Sequence, residues 1–322
     1  MPAEKPTVAA PESIPAPREA REAGDVSLRR DFHDLRVERS DELWNAAYLG
    51  LSWAAVAGSV ALFWKKRTPL AAGAAIAVIA SRQQALLNVE HDAIHRSLFR
   101  NRRLNDAVGL VAAAAPCGSG FRSTRAQHLR HHRLLNTPDD PDGYLHEGPH
   151  LETRKGLLRH LVEAFTGIYA VKLLKRREDW TWVDPGNAGK DKRDLVLVQL
   201  GLWALFAKLT RWWTYPLLWL APLVTITSGV VVARNYVDHA LVGEELEAYP
   251  DRRVSVDAHP VEGANFSPYN MNWHAEHHLF PWIPARRLPE ASRRLAARTD
   301  APDRLVHKSY LGALLKHLKT LP

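Results

Sequence analysis

Residues 69–95 read PLAAGAAIAVIASRQQALLNVEHDAIH. The stretch runs from Pro69 to Ser81 without a charge and ends on His91-Asp-Ala-Ile-His95. Its first half is apolar enough to lie in a bilayer. Its second half carries Arg82, Gln83, Gln84, Asn88 and Glu90. Polar side chains at membrane depth must face other helices or a cavity rather than lipid. Two readings stay open for them: the side chains face a bundle, or the helix leaves the membrane early. Either way, a spanning helix delivers two imidazoles to one membrane face.

Upstream, Trp44–Trp64 is a run of 21 residues with no charge. As a helix it would be about 31 Å long, the thickness of a hydrocarbon core. Ser40 is a candidate N-cap, with Asp41 and Glu42 suited to the first turn. Lys65–Arg67 and Pro69 make a tight connection to the next helix. Downstream, Ala107–Pro116 is apolar but too short to span, and reads as re-entrant or packed against other helices. Residues 155–177 alternate Leu157, Leu161, Phe165 and Ile168 with basic positions, the pattern of an interfacial helix. Leu195–Ala207 is a weaker third span, and Tyr215–Ala233 a strong fourth.

The expected fold is therefore all-α: a multi-pass membrane protein with about four transmembrane helices in two hairpins. Residues 1–24, rich in Pro, Ala and Glu, read as a disordered tail, with no apolar signal-peptide core near Met1. A short amphipathic surface helix is expected over 26–39 from Leu28, Phe32 and Leu35. Residues 25–300 form the membrane domain. Residues 301–322 form a C-terminal amphipathic segment, with amphipathic pieces at 288–298 and 309–319.

Composition narrows the chemistry. Mean hydropathy is slightly negative, yet the apolar residues gather in long runs and the charge lies between them. Cys117 is the single cysteine of the 322 residues. This excludes an intrachain disulfide framework and any cysteine-built zinc or iron–sulfur site. A metal must be held by His, Asp, Glu or Asn. The net charge of +8 fits the Lys and Arg excess of cytoplasmic loops. No base-reading module is visible, so a nucleic-acid partner is not expected. Most of the 43 Lys and Arg fall on the side shared by the N-terminus, the long middle segment and the C-terminal part. That bias makes this side cytoplasmic, although Lys65, Lys66 and Arg67 oppose it locally. Trp44, Trp64, Trp212 and Trp213 stand at the ends of apolar runs, as in an interfacial aromatic belt.

Nine of the 16 histidines fall into four places. His91 and His95 are spaced i, i+4. His128, His131 and His132, and again His274, His277 and His278, are spaced i, i+3, i+4. His239 stands alone after Asn235-Tyr-Val-Asp. On a helix, i+3 and i+4 flank position i, so three imidazoles share one stripe and can serve two adjacent metals. The hairpin topology brings all nine to one membrane face. Imidazole suits Zn, Cu, Fe and Ni; nine ligands are too many for one metal and reasonable for two. Spacing alone leaves a di-zinc hydrolase or a histidine-rich receptor open. Glu90, Asp92, Asp238 and Glu276 adjoin the boxes and could accept the distal N–H of a ligating ring, or simply be solvated. Asn235, one turn before His239, can face the same site. His33, His146, His150, His160, His259, His307 and His317 match no pattern and read as surface or interfacial.

The order HxxxH, HxxHH, HxxHH resembles the membrane fatty acid desaturase superfamily, which includes carotenoid ketolases and hydroxylases. The likeness extends to Glu90-His-Asp-Ala-Ile-His-Arg-Ser-Leu-Phe99 and Asn272-Trp-His-Ala-Glu-His-His-Leu-Phe-Pro281, and covers about residues 40–300. The resemblance implies two irons bound by the nine histidines in a cytoplasmic cap, with Asn235 reaching one through water. It implies O2 as co-substrate and removal of hydrogen from an unactivated C–H bond. The main expectation is a double bond in an acyl chain carried as a lipid, acyl-carrier-protein or CoA ester. Hydroxylation or ketolation of a lipid, alkyl or terpenoid substrate is the alternative. The HxxxH first box and His274 depart from the animal acyl-CoA and front-end patterns. No haem-binding or iron–sulfur segment is recognisable, so electrons are expected from a separate donor such as a ferredoxin with its reductase. Arg96, Arg100, Arg102 and Arg103 are the expected docking cations for it, or for an acidic acyl carrier protein that delivers substrate. Lys172, Lys175, Arg176 and Arg177 are expected to meet anionic lipid.

Overall fold

A computed structural model describes residues 28–135, 137–146, 148–175, 185–240, 254–299, 301 and 304–322. The expected tail over 1–24, and Arg176 and Arg177, lie outside them. Residues 28–34 belong to a small unit of their own, helical over 28–31, and the chain from Leu35 onward forms a second unit. The second unit is mostly helical.

Helix α1 is Arg39–Lys66 and α2 is Pro69–Ile94. Glu38, not Ser40, is the N-cap of α1. The Glu38 amide donates to the Asp41 carboxylate at 2.9 Å, which starts the helix before Ser40. Arg67 closes α1 in the left-handed region, its N–H on the Phe63 carbonyl. Thr68 then caps α2 by accepting from the Ala71 amide at 3.2 Å, with Pro69 in the first turn. A two-residue link between helices forces an antiparallel hairpin.

The polar half of α2 stays inside the protein. Gln83 and Gln84 donate to the carbonyls of Trp219 and Thr227 at 2.8 and 2.7 Å, and Asn88 donates to the Pro268 carbonyl at 2.6 Å. Trp219 and Thr227 lie in two π-helical turns, Pro216–Leu220 and Leu223–Thr227. A π-turn loosens the backbone ladder, and the α2 amides satisfy the carbonyls it frees. Gln83, Gln84, Asn88 and Glu90 are buried against the bundle, and Arg82 is half-buried. The two π-turns lead into the helix Ser228–His239.

Three helices are long and apolar enough to cross a membrane among the described residues: Arg39–Lys66, Pro69–Ile94 and Pro216–His239. The expected third span lies in the helix Pro185–Leu209, whose first half carries Lys190, Asp191, Lys192, Arg193 and Asp194. The short apolar stretch after α2 is packed, as one of its two readings had it. It folds as Arg102–Val108, a π-turn Gly109–Ala114 and a 3-10 turn Ala115–Cys117. Gly109 lets this piece touch α2: a Cβ there would sit 2.4 Å from the Ala93 Cβ.

The expected single interfacial helix over 155–177 is broken. It forms Arg154–Phe165 and Ile168–Lys175, separated at Gly167, whose φ of +79° no β-carbon tolerates cheaply. The all-α expectation also needs one correction, a parallel pair of three-residue strands, Val254–Val256 with Leu305–His307. The C-terminal helix Tyr310–Thr320 is part of the main unit. Tyr310, Ala313 and Leu314 share a core with Leu157, Leu161, Val232 and Tyr236.

Candidate metal centre

Four elements converge on one point. His91 lies in the last turn of α2, and His95 is its C-cap. His128, His131 and His132 lie on the helix Phe121–Leu134, His239 is the last residue of Ser228–His239, and His274, His277 and His278 lie on His274–Leu279. Side-chain contacts fix each end. Arg125 donates to the carbonyls of Ala93 and Ile94 at 2.8 and 3.2 Å while pairing with Asp106 at 2.6 Å. It thereby ties the start of the second box to the end of the first. Asp92 accepts the Ala285 amide at 3.0 Å, tying the first box to the chain after the third. The third box hangs on the first strand. Asn272 donates to the Val256 carbonyl at 2.8 Å, and the Ala275 amide donates to Ser255 Oγ at 3.0 Å.

The nine rings fall into two groups. His91, His95, His128, His132 and His277 offer ring nitrogens within 4.8 Å of one another, and so do His131, His239 and His278. His274 joins the second set: its Nε2 is 2.9 Å from that of His239 and 3.0 Å from that of His278. The i, i+3, i+4 spacing is used as its geometry suggested. The second box gives i and i+4 to the first group and i+3 to the second. The third box does the reverse.

The donor set fits metal ions. Both ring nitrogens of His91, and Nε2 of His95, are buried with no hydrogen-bond partner, and an ion would account for them. His132 Nε2 lies 3.0 Å from Nε2 of His128 and 3.0 Å from Nε2 of His277. Nitrogens about 2.1 Å from one ion are roughly 3.0 Å apart at right angles and roughly 3.4 Å apart at tetrahedral angles. The spacing suits an ion with more than four ligands better than a tetrahedral structural zinc. Burial pushes His128, His132, His274, His277 and His278 well below the ordinary imidazole range, and the other rings, with Arg234 for His274, push the same way. Neutral rings have a lone pair to give.

The flanking carboxylates make other contacts. Glu90 accepts from Ser119 at 2.5 Å, Asp238 from Arg234 at 3.0 Å, and Glu276 from Arg304 at 2.9 Å and from Ser255. With Asp92 on the Ala285 amide, none of the four hydrogen-bonds a ligand ring among the described residues. The acid that does so is Asp140, which accepts from His131 Nδ1 at 2.8 Å. This bond leaves Nε2 of His131 for a metal. Asp140 was missed, although the run Thr137-Pro-Asp-Asp-Pro-Asp-Gly143 directly after the second box signals a chain that turns back. His146 was also missed: it is buried, its ring stacked on that of His239 at 4.9 Å. His160 and His317 are buried as well, against the surface reading, and His317 bonds the Tyr236 hydroxyl at 2.7 Å. His33, His150 and His259 are exposed, and His307 is half-buried.

A cavity of about 280 Å³ opens beside the rings; His91, His128, His131, His239 and His274 line it, with the apolar Leu87, Ile94, Leu145 and Val231 among a mostly polar remainder that includes Glu90, Asp142 and Arg234. Asn235 lines it too. Its amide nitrogen donates to the Val231 carbonyl at 3.0 Å, leaving Oδ1 for other partners.

Comparison with known proteins agrees with this geometry. The fatty acid desaturase family profile matches residues 67–310. A beta-carotene ketolase of Paracoccus sp. is 29% identical over 209 residues, covering 63% of this chain and 72% of the relative. A dihydrorhizobitoxine desaturase of Bradyrhizobium elkanii is 25% identical over 290 residues, covering 83% and 80%. An acyl-lipid (9-3)-desaturase of Physcomitrium patens is 23% identical over 305 residues, covering 83% of this chain and 57% of the relative. With its histidine-rich centre at the end of apolar, membrane-length helices, the chain is an oxidoreductase that belongs to the fatty acid desaturase family.

Proposed function

We propose that this chain is a di-iron membrane enzyme that introduces a double bond into an acyl chain. One iron is held by His91, His95, His128, His132 and His277, and the other by His131, His239, His274 and His278. The observation that carries the reading is the division of nine imidazoles, four buried and five half-buried, into two convergent groups. Iron bound there supplies O2 reduction and the removal of hydrogen from an unactivated C–H bond. The chain's own residues do the rest. The apolar residues of the cavity lining, Leu87, Ile94, Leu145 and Val231, hold an alkyl segment near the rings. Asn235 Oδ1 holds a water in the cavity that His239 also lines. Asp140 fixes the proton on His131 Nδ1 and keeps that ring in its ligating tautomer.

The membrane arrangement is part of the proposal. Pro185–Leu209 supplies a fourth span through its apolar second half, so that two hairpins leave the histidines on the cytoplasmic face of the cell membrane. The tail over 1–24 precedes the catalytic domain, and the amphipathic end over 301–322 packs as part of it. A separate ferredoxin-type donor with its reductase supplies electrons. Arg100 is already engaged by Glu42 at 3.1 Å, so docking near the first box falls to Arg96, Arg102 and Arg103.

A second reading, insertion of oxygen into a hydrocarbon, is favoured by the beta-carotene ketolase likeness. Mass spectrometry of lipids and pigments from cells expressing the protein separates the two. Loss of two hydrogens from an acyl chain supports desaturation. Gain of oxygen on a terpenoid, with the acyl lipids unchanged, overturns it in favour of the second reading.

A further inference from the structure

A larger cavity, of about 560 Å³, shares one lining residue, Tyr144, with the histidine cavity. Its walls come from the helix pair Arg154–Phe165 and Ile168–Lys175 and from the turn before it. Lys155, Arg159 and Lys172 line it, and Glu163 is the one acid among its lining residues. Glu163 pairs with Lys172 at 2.6 Å and with Arg159 at 3.0 Å, so it offsets one positive charge of three. Lys155 pairs with no acid among the described residues. Thr153, the N-cap of the helix Arg154–Phe165, also lines the cavity and accepts the Gly156 amide at 3.1 Å. His160 adds an independent observation: it lines the cavity, is 6% exposed, and its Nε2 has no hydrogen-bond partner.

The surface of the same helix pair says where such an anion would be. Leu158, Val162, Phe165, Ile168 and Val171 are exposed, while Leu157, Leu161 and Ala164 on the opposite face are buried in the core. An amphipathic pair with apolar residues on its outer face and cations around a cavity fits the headgroup level of a bilayer. Beta-carotene carries no charge and would have no use for these cations.

We propose that this cavity seats the phosphate head of a membrane acyl lipid, whose chain passes Tyr144 into the histidine cavity. The proposal rests on the acyl-chain reading above and specifies its substrate as an anionic lipid. Lys155 and Arg159 contact the phosphate, His160 Nε2–H donates to it, and Glu163 limits the affinity by competing for Arg159 and Lys172. Tyr144 stands at the passage between head and chain.

The test is native mass spectrometry of the full-length protein from nanodiscs. Retention of dioleoyl phosphatidylglycerol is compared with that of uncharged dioleoylglycerol, and inorganic phosphate serves as a separate competitor. Iron content and melting temperature are measured on the same samples. The parent is expected to retain phosphatidylglycerol selectively. Each cation removed near a headgroup is worth about fivefold, so Lys155→Ala with Arg159→Ala should weaken retention roughly twenty-five-fold and leave dioleoylglycerol untouched. Glu163→Gln should strengthen retention. Equal retention by the parent and the double variant overturns the proposal, as does parallel weakening by Glu163→Gln, which would mark the charges as merely structural. Saturable binding of free phosphate without any preference for phosphatidylglycerol also overturns it. Absence of lipid selectivity in a protein that still holds iron overturns this inference alone. Absence of iron with selectivity intact counts against the metal assignment alone.

Discussion

The two histidine groups sit side by side but are held in different ways. In the five-histidine group, positioning comes from backbone and packing. Arg125 and Asn105 grip the end of Pro69–Ile94 through the Ala93 carbonyl, and Gly109 lets the next segment lie against it. In the second group, an acid sets one ring directly. Asp140 and Asp142 raise His131 against the effect of its burial, and His146 stacks on His239. One site is shaped by helix ends and the other by a loop, so damage to each should be separable.

Removing a ligand is the strongest way to break the comparison. His277→Ala should deplete the first group of metal and His131→Ala the second, and either should abolish turnover. Metal analysis of the two variants reads this. Full activity in both would refute the assignment. Next in size, Asp140→Ala should weaken metal at the second group by about 10–100-fold, the usual cost of losing a ring's orienting partner. Competition with a chelator should show the first group unaffected. If both groups weaken equally, the loop does not act on one site alone.

Gly109→Ala sharpens the other half. Its Cβ would also come within 2.9 Å of the Phe121 ring, so the segment must shift at a cost of about 1–3 kcal/mol. Denaturant unfolding should show that loss, and any metal lost should come from the first group. The smallest effect belongs to His317→Ala. It strips the Tyr236 hydroxyl of its partner and should cost about 1 kcal/mol, with metal content unchanged. Loss of iron there would mean that the C-terminal helix supports the centre more closely than its contacts indicate.

What the sequence disclosed was whatever has a period. The spacing of His128, His131 and His132 is a property of one helix, and so is the charge-free run Trp44–Trp64. Both were legible because their partners lie within a few residues. Asp140 was not, because its bond to His131 depends on a turn built from Pro138, Pro141 and Gly143 that reverses the chain. The π-turns after Tyr215 were invisible too, since they are selected by Gln83 and Gln84 more than 130 positions earlier. The break at Gly167 was hidden by the apolar pattern, which continues on both sides of it. The flanking acids misled for a related reason. Adjacency in sequence to a ligand does not aim a side chain at its ring, and Glu90, Asp92, Asp238 and Glu276 satisfy serine, an amide and two arginines instead.

The most direct test of the central claim is elemental analysis, per chain, of protein purified from iron-sufficient cells without added metal. Two irons per chain, with no stoichiometric zinc, is the result expected from two convergent groups of imidazoles. Zinc alone, or a single ion of any kind at full occupancy, would contradict it.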